Sequence, residues 1–469
     1  IRKLMNLFRC NVCNVFTYNK DEGHSNSGIL PGTDPAKFPE SWHCPVCSAD
    51  KTHLKPYSKA NLEYDPERKR TGDRTELRMD DIHNMAVTGR SIVEPMRTTA
   101  KVISWDDILI RAAQLARIPL NKEVPVVTET VIGPAAKHPV VISSPVYVTH
   151  MSFGELSKEL KISIAKATSA VKTAMGSGEG GVLEETVTTA HKYIFEYVPN
   201  KYGVNDKNLG RVDAVEIKIG QSAKPGMGGS LPGRKVTAEV AKMRGYPEGK
   251  DIESPASYED IRSPDDLKAK VSWLRDKTGG KPIGVKFAAG HIEADLEVAI
   301  QAEPDFITLD GRPGATAGAI KLIKKATSMP TVFALSRARK YLDKRGVKDI
   351  TLVITGGLRT SPDFAKALAL GADAVAIGTA ALMAAACQQY RICDTGNCPV
   401  GVTTQEPALR ERMDIEAAAK RLENFLTVST EELRAFARLT GRDNIHDLSA
   451  DDLLTTDSEI SRHTPIEHA

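Results

Sequence analysis

Eight short runs of apolar and β-branched residues recur between positions 146 and 377, and their alternation with helix-forming stretches constrains the fold most strongly. The runs are Val146–Thr149, Thr173–Met175, Phe195–Val198, Ala214–Ile219, Ile283–Phe287, Phe306–Leu309, Thr351–Thr355 and Ala374–Ile377. Strands that alternate with helices build parallel sheets, and eight such units close into a (β/α)8 TIM barrel of the α/β class. Two inter-strand stretches, 220–282 and 310–350, are longer than a crossover helix requires. Long insertions on one barrel face usually build a substrate site.

The last two runs carry the clearest local chemistry. Run seven ends in Thr355-Gly356-Gly357, and run eight continues into Gly378-Thr379-Ala380. Barrels bind phosphate after strands seven and eight, where glycines let backbone N–H groups approach an anion. Gly356, Gly357, Gly378 and Thr379 are therefore candidates for a phosphate-bearing cofactor. Ordinary tight turns are the competing explanation.

The seven cysteines fall outside most of this region, in two clusters. Cys10 and Cys13 form one Cys-x-x-Cys pair, and Cys44 and Cys47 form a second. Each pair lets two thiolates of one tight turn reach the same ion, and tetrahedral sulfur suits iron or zinc. Cys387, Cys393 and Cys398 follow the eighth run. Three thiolates on one loop suit an iron–sulfur cluster. A 3Fe–4S cluster needs no further ligand, whereas a 4Fe–4S cluster needs a fourth that is not cysteine.

Lys and Arg total 63 against 60 for Asp and Glu, a net charge of +3, which gives no footprint for nucleic acid. No apolar run is long enough to span a membrane, and the opening residues lack a signal peptide, so a cytoplasmic location is expected. Disulfides are then not expected. No Gly-x-Gly-x-x-Gly follows a strand in a dinucleotide fold, so NAD(P)H is not expected to bind this chain. Residues 58–100 read as a polar linker and irregular segment, with Arg68-Lys69-Arg70 a solvated face. Ser104-Trp-Asp-Asp107 resembles a capping box and predicts an amphipathic helix to about Arg117. The expected organisation is a metal domain over 1–57, the linker, a barrel over 101–430 with its cysteine loop at 387–398, and a helical tail over 431–469.

Residues 5–56 resemble rubredoxin. The resemblance rests on the two Cys-x-x-Cys pairs, the thirty residues between Cys13 and Cys44, Ser27-Gly-Ile-Leu-Pro-Gly32, and Trp42 ahead of Cys44-Pro45. Phe8, Phe16, Tyr18, Phe38 and Trp42 can fill a tiny core that needs its metal as a staple. The resemblance implies one iron in an FeS4 site and one-electron transfer, with zinc the other candidate. Asn14 and Ser48 stand where rubredoxins usually carry glycine.

From about residue 95 onward the chain resembles the glutamate synthase large subunit in its shorter, archaeal-type form. The motifs are MSFGELS at 151–157, GSGEGG at 176–181, EIKIGQSAKPGMGGSLPGRKV at 216–236, ITGGLRTSPDFAKALALGADAVAIGTAAL at 354–382, and CQQYRICDTGNCPVGVTTQ from Cys387. The resemblance implies an FMN-binding barrel beside a 3Fe–4S cluster. It implies reduction of 2-iminoglutarate, made from 2-oxoglutarate and ammonia, to L-glutamate. On that reading the FMN phosphate lies against Gly356, Gly357, Gly378 and Thr379, and Met151 and Ser152 lie beside the isoalloxazine ring. Lys286 stabilises negative charge on reduced flavin or, alternatively, serves as a buried ion-pair member. Lys218, Gln221, Lys224, Glu179 and Arg244 are the implied catalytic and substrate-binding residues.

Three segments depart from the family pattern: Asp310-Gly-Arg-Pro313-Gly-Ala315-Thr316-Ala-Gly318 in place of a glycine-rich loop, with Pro313 and Ala315 where glycine is expected, Ser257-Tyr258-Glu259, and Met227 with Ser230. All three are expected near the substrate pocket. The altered loop at 310–318 motivates one rival, a related flavoenzyme of the N-methylglutamate synthase kind, and an electron-transfer subunit of a larger redox complex is a second rival of another class. No glutaminase sequence is present in these residues, so a separate glutaminase or free ammonia is the expected nitrogen source. An external electron-transfer protein or reductase subunit is the expected redox partner, and a homo-oligomer or complex the expected assembly.

Overall fold

The computed structural model describes residues 6–13, 15–57, 62–70 and 72–469. Asn14 and the first residues of the expected linker, 58–61, lie outside the described residues. The chain divides into two compact units, 1–90 and 91–469.

The first unit is built on a three-stranded antiparallel sheet. Strand Leu7–Cys10 lies between Thr17–Asn19 and Leu54–Pro56. Phe16, Tyr18, Ile29, Phe38, Trp42 and Leu54 make its small core, while Phe8 packs at the edge. Tyr18 meets Phe38 edge-on at 4.9 Å between ring centroids, and its hydroxyl donates to Thr33 O at 2.6 Å. Edge-to-face pairs of this kind add about 0.5–1.5 kcal/mol to the area that they bury. Arg68 and Arg70 are exposed and pair with Asp65 and Asp73. A helix, Met79–Thr88, ends at Gly89, whose φ of 63° is the usual left-handed stop.

The second unit contains a closed barrel of eight parallel strands: Val146–Val148, Ala174–Gly176, Lys192–Tyr197, Ala214–Lys218, Ile283–Ala288, Phe306–Asp310, Thr351–Thr355 and Ala374–Ile377. Each pairs with its successor, and Ile377 closes on Val148. The strands are buried on both faces, which is why they read as continuous apolar runs rather than alternating ones. A hairpin, Thr130–Ile132 with Val140–Ile142, inserts Ile132, Val140 and Ile142 against Tyr147, Ile194, Phe306 and Val353 at the strands' N-terminal ends. Gly284 makes room for the Phe306 ring, since a Cβ there would lie 2.2 Å from Phe306 Cε2.

Local capping sets the outer helices. Ser157 caps Lys158–Ala170, Ser263 caps Pro264–Lys277, and Thr360 with Asp363 forms a capping box on Ser361–Ala369. Asp414 caps Ile415–Leu439, which packs along Lys158–Ala170.

Several expectations need correction. Ser104 and Asp107 do form a capping box, but it opens only the single turn Trp105–Asp107. Ile108–Ile110 then becomes a strand paired with Leu453–Thr455. The β-branched Ile108 and Ile110 favour that pairing over a helix. Residues 91–100 belong with the barrel unit, because Val93–Glu94 pairs with Ala319–Ile320. No boundary falls at 430, where helix Ile415–Leu439 runs through. The C-terminal segment also carries strands as well as helical turns: Leu453–Thr455 pairs with Glu467–His468. Among the described residues no helix is long and apolar enough to cross a membrane.

Candidate active site and metal centres

The four N-terminal cysteines converge. Cys10 Sγ lies 3.6 Å from Cys47 Sγ and Cys13 Sγ 3.9 Å from Cys44 Sγ, and all four sulfurs fall within 4.8 Å of one another. Two tight turns bring them together. In the second, Ser48 takes the left-handed φ of 61° that glycine adopts without steric cost. The N–H groups of Phe16 and Val15 point at Cys13 Sγ and draw its thiol down to about 6. Four sulfurs at this spacing fit one tetrahedral iron or zinc ion.

The C-terminal ends of the barrel strands surround a cavity of about 1590 Å³, including its open mouth. Met151, Ser152, Glu179, Lys218, Gln221, Lys224, Arg244, Lys286, Gly356, Gly357, Gly378 and Thr379 all line it, together with Cys387, Cys393 and Cys398.

One flank is glycine-lined. Gly356 and Gly357 have φ of 106° and 92°. A Cβ on Gly356 would lie 2.0 Å from Gly311 O, and one on Gly357 would lie 2.6 Å from Pro313 Cδ. The turn therefore demands glycine for its own packing, whatever occupies the cavity. Arg359 follows it, with its guanidinium lowered to about 10 by burial and by the nearby Arg97.

The floor is a buried charge network. Lys286 Nζ stands 3.6 Å from Glu196 Oε1 and 3.9 Å from Glu216 Oε2. His150 Nδ1 lies 3.3 Å from the Gly178 nitrogen, and its Nε2 stands 3.1 Å from Glu216 Oε2. Thr308 Oγ1 donates to the other Glu216 oxygen. Burial opposes ionisation of Glu216, yet His150 and Lys286 outweigh it and hold the carboxyl at about 2. His150, Glu196 and Glu216 alone resemble a metal-ligand set. Lys286 already brings a cation to their carboxylates.

The opposite flank gathers cations. Lys218 pairs with Glu179, whose carboxyl falls to about 2 because Lys218, Lys224 and Arg244 outweigh its burial. Lys218 is raised, since Glu179 and Glu196 outweigh its own burial, whereas burial lowers Lys224. Arg244 is buried, donates to Phe153 O at 3.0 Å and faces the Tyr202 ring at 5.4 Å. Asp310 ties this flank to strand six by accepting from the Ser222 N–H at 3.0 Å and from Ser222 Oγ at 2.8 Å.

The three-cysteine loop forms part of the wall. Gln389 N–H points at Cys387 Sγ from 3.4 Å, and Cys393 Sγ lies 3.7 Å from Met96 Sδ. Burial raises the thiols of Cys387 and Cys393. The three sulfurs are not all within 4.8 Å of one another, unlike the N-terminal quartet.

The departures from pattern are not equally close to the cavity. Ala315 and Ser230 line it, but Pro313, Met227 and residues 257–259 do not. Tyr258 instead stacks on Tyr197 and donates to Tyr197 O at 2.6 Å and Lys218 O at 3.2 Å. It props strand four from behind. His150, Glu196, Glu216, Asp310 and Arg359 were absent from the sequence-derived set. Glu196 and Glu216 had a readable signal: each is a charged residue inside an apolar strand, as Lys286 is.

The family model described as a conserved region in glutamate synthase matches residues 92–443, and the rubredoxin model matches 7–54. The chain is 37% identical over 408 residues to the glutamate synthase large subunit-like protein of Rhizobium meliloti, covering 82% of this chain and 92% of that one. It is 35% identical over 399 residues to the archaeal glutamate synthase [NADPH] of Methanocaldococcus jannaschii, covering 78% of each. Among solved structures, a mutant flavocytochrome b2 with benzoylformate superposes at TM-score 0.48 and 19% identity, covering 77% of this chain and 78% of that one.

Proposed function

Because this chain belongs to the glutamate synthase family and carries a rubredoxin domain, we propose that it reductively aminates 2-oxoglutarate, through 2-iminoglutarate, to L-glutamate, using FMN, a 3Fe–4S cluster and a rubredoxin-type iron. One observation carries the reading: a single cavity is lined by the glycine flank, the cationic flank and the three-cysteine loop.

The residues present fit these groups. Gly356, Gly357, Gly378 and Thr379 would hold the FMN phosphate with backbone N–H groups, with Arg359 supplying charge. Met151 and Ser152 would flank the ring, and Lys286 would balance negative charge beside it. Bound FMN supplies the conversion between one-electron iron chemistry and delivery of a hydride equivalent.

The chain's own chemistry is electrostatic. Lys218 is committed to Glu179, so it orients that carboxylate rather than the substrate. Lys224 and Arg244 are left to engage the two carboxylates of the keto acid. Glu179, ionised at neutral pH, accepts N–H bonds from ammonia or the imine and aims the nitrogen at the keto carbon. Cations placed before the reaction begins need not reorganise as charge moves. Electrons come from an external one-electron donor, and ammonia comes free or from a separate glutaminase.

Anaerobic incubation of the holoprotein with 2-oxoglutarate, ammonium and a chemical reductant tests this. L-Glutamate is the expected product, and its absence from protein replete in flavin, iron and sulfide overturns the reading. Ala315 and Ser230 on the cavity wall favour one alternative, a substituted amine donor. Methylamine in place of ammonium would then give the N-methyl product.

A further inference from the structure

Lys235 is 1% exposed, at the end of the turn Gly233–Lys235. Its Nζ donates to Cys393 O at 2.7 Å and to Glu155 Oε2 at 2.7 Å. The neighbouring Arg234 grips the same loop from outside, donating from Nε to Thr395 O at 3.0 Å and from its terminal nitrogen to Asp394 O. Two consecutive cations therefore hold three successive carbonyls of the cysteine loop.

The two cations differ in their surroundings. Arg234 is exposed, so water and salt screen its field within about 10 Å at ordinary ionic strength. Lys235 acts through protein, where the effective dielectric constant is about a quarter of that of water. Its charge touches the carbonyl of a cysteine ligand directly. Glu155 accepts from the same ammonium and lines the cavity.

We infer that Lys235 sets the reduction potential of the iron–sulfur cluster held by Cys387, Cys393 and Cys398, with Glu155 opposing it. This rests on the cluster reading given above. One-electron reduction adds one negative charge to the cluster and breaks no bond. An ammonium fixed against the Cys393 carbonyl stabilises the reduced state, and so raises the potential. Glu155 offsets part of that effect. Lys235 is thus a positioning and tuning residue, acting through the cysteine loop rather than on substrate.

The test is a potentiometric titration of the full-length holoprotein with dithionite and mediators, followed by electron paramagnetic resonance of the oxidised cluster. Lys235→Gln is expected to lower the potential and Glu155→Gln to raise it by a smaller amount. Lys235→Arg should stay near the unsubstituted protein, as should Arg234→Gln. An unchanged potential in Lys235→Gln, or shifts of the same sign in Lys235→Gln and Glu155→Gln, overturns the inference. If Lys235→Gln loses its cluster, Glu155→Gln, which keeps the lysine, still decides the sign. Unsubstituted protein with no acid-labile sulfide would overturn the cluster reading itself, and this inference with it.

Discussion

Glu179 and Lys218 form an ion pair inside the cavity wall, joining the loop after barrel strand two to the end of strand four. Neither side chain is more than 21% exposed. Removing one partner of such a pair strands the other charge in a poorly solvated place, which costs about 3 kcal/mol at the low end of the usual range. Glu179→Gln should therefore lower stability by about that amount in a denaturant titration. It should also cut turnover at least tenfold, because Lys218 is released to compete for the substrate's anion.

Lys161 gives a pH prediction. Its buried ammonium donates to the carbonyls of Met151, Gly176 and Ser177 at 2.9, 3.1 and 2.9 Å. Burial pulls its pKa down from 10.5 to about 7, against the pull of Glu196. Between those values the unfolded chain holds a proton that the folded chain lacks, so this group makes stability rise with pH from about 7 to 10.5. Lys161→Met should remove that rise, seen as a flatter Tm-versus-pH curve over the same window. An unchanged slope would contradict the assignment.

Cys13→Ser tests the N-terminal metal centre. The unit around it has a core of only a few aromatic and aliphatic side chains, so its ion serves as a staple. The substitution should remove one iron per chain, and residues 6–57 should become sensitive to limited proteolysis. Acid-labile sulfide should not change, because the other cysteine loop is untouched.

Gly357→Ala tests the glycine flank. The new Cβ would meet Pro313 Cδ at 2.6 Å on a backbone with φ of 92°. Strain of this kind costs about 1–3 kcal/mol. The expected outcome is a lower Tm together with flavin content below one per chain. Full flavin occupancy with only a lower Tm would show that this turn does not hold the phosphate.

The barrel was readable because strands buried on both faces must be continuous apolar runs, and those runs stand out between helices. The cysteine spacings were readable because ligand geometry forces short intervals. The failures share a cause of another kind. Ile108–Ile110 is a strand only because Leu453–Thr455, far along the chain, pairs with it, and no local pattern reports a distant partner. Tyr258 was expected beside the pocket because its segment departs from pattern, yet it works behind Lys218 through a backbone hydrogen bond. His150 was overlooked because nothing in one sequence tells a histidine aimed at a buried carboxylate from one that merely packs.

The hairpin at residues 130–142 stoppers the barrel's N-terminal end with Ile132, Val140 and Ile142. The cavity described above is therefore reached from the strands' C-terminal side, where the cysteine loop forms part of the wall. On the reading proposed above, L-glutamate carries the same two carboxylates as 2-oxoglutarate and should compete with it for Lys224 and Arg244, which a raised apparent KM for 2-oxoglutarate would show.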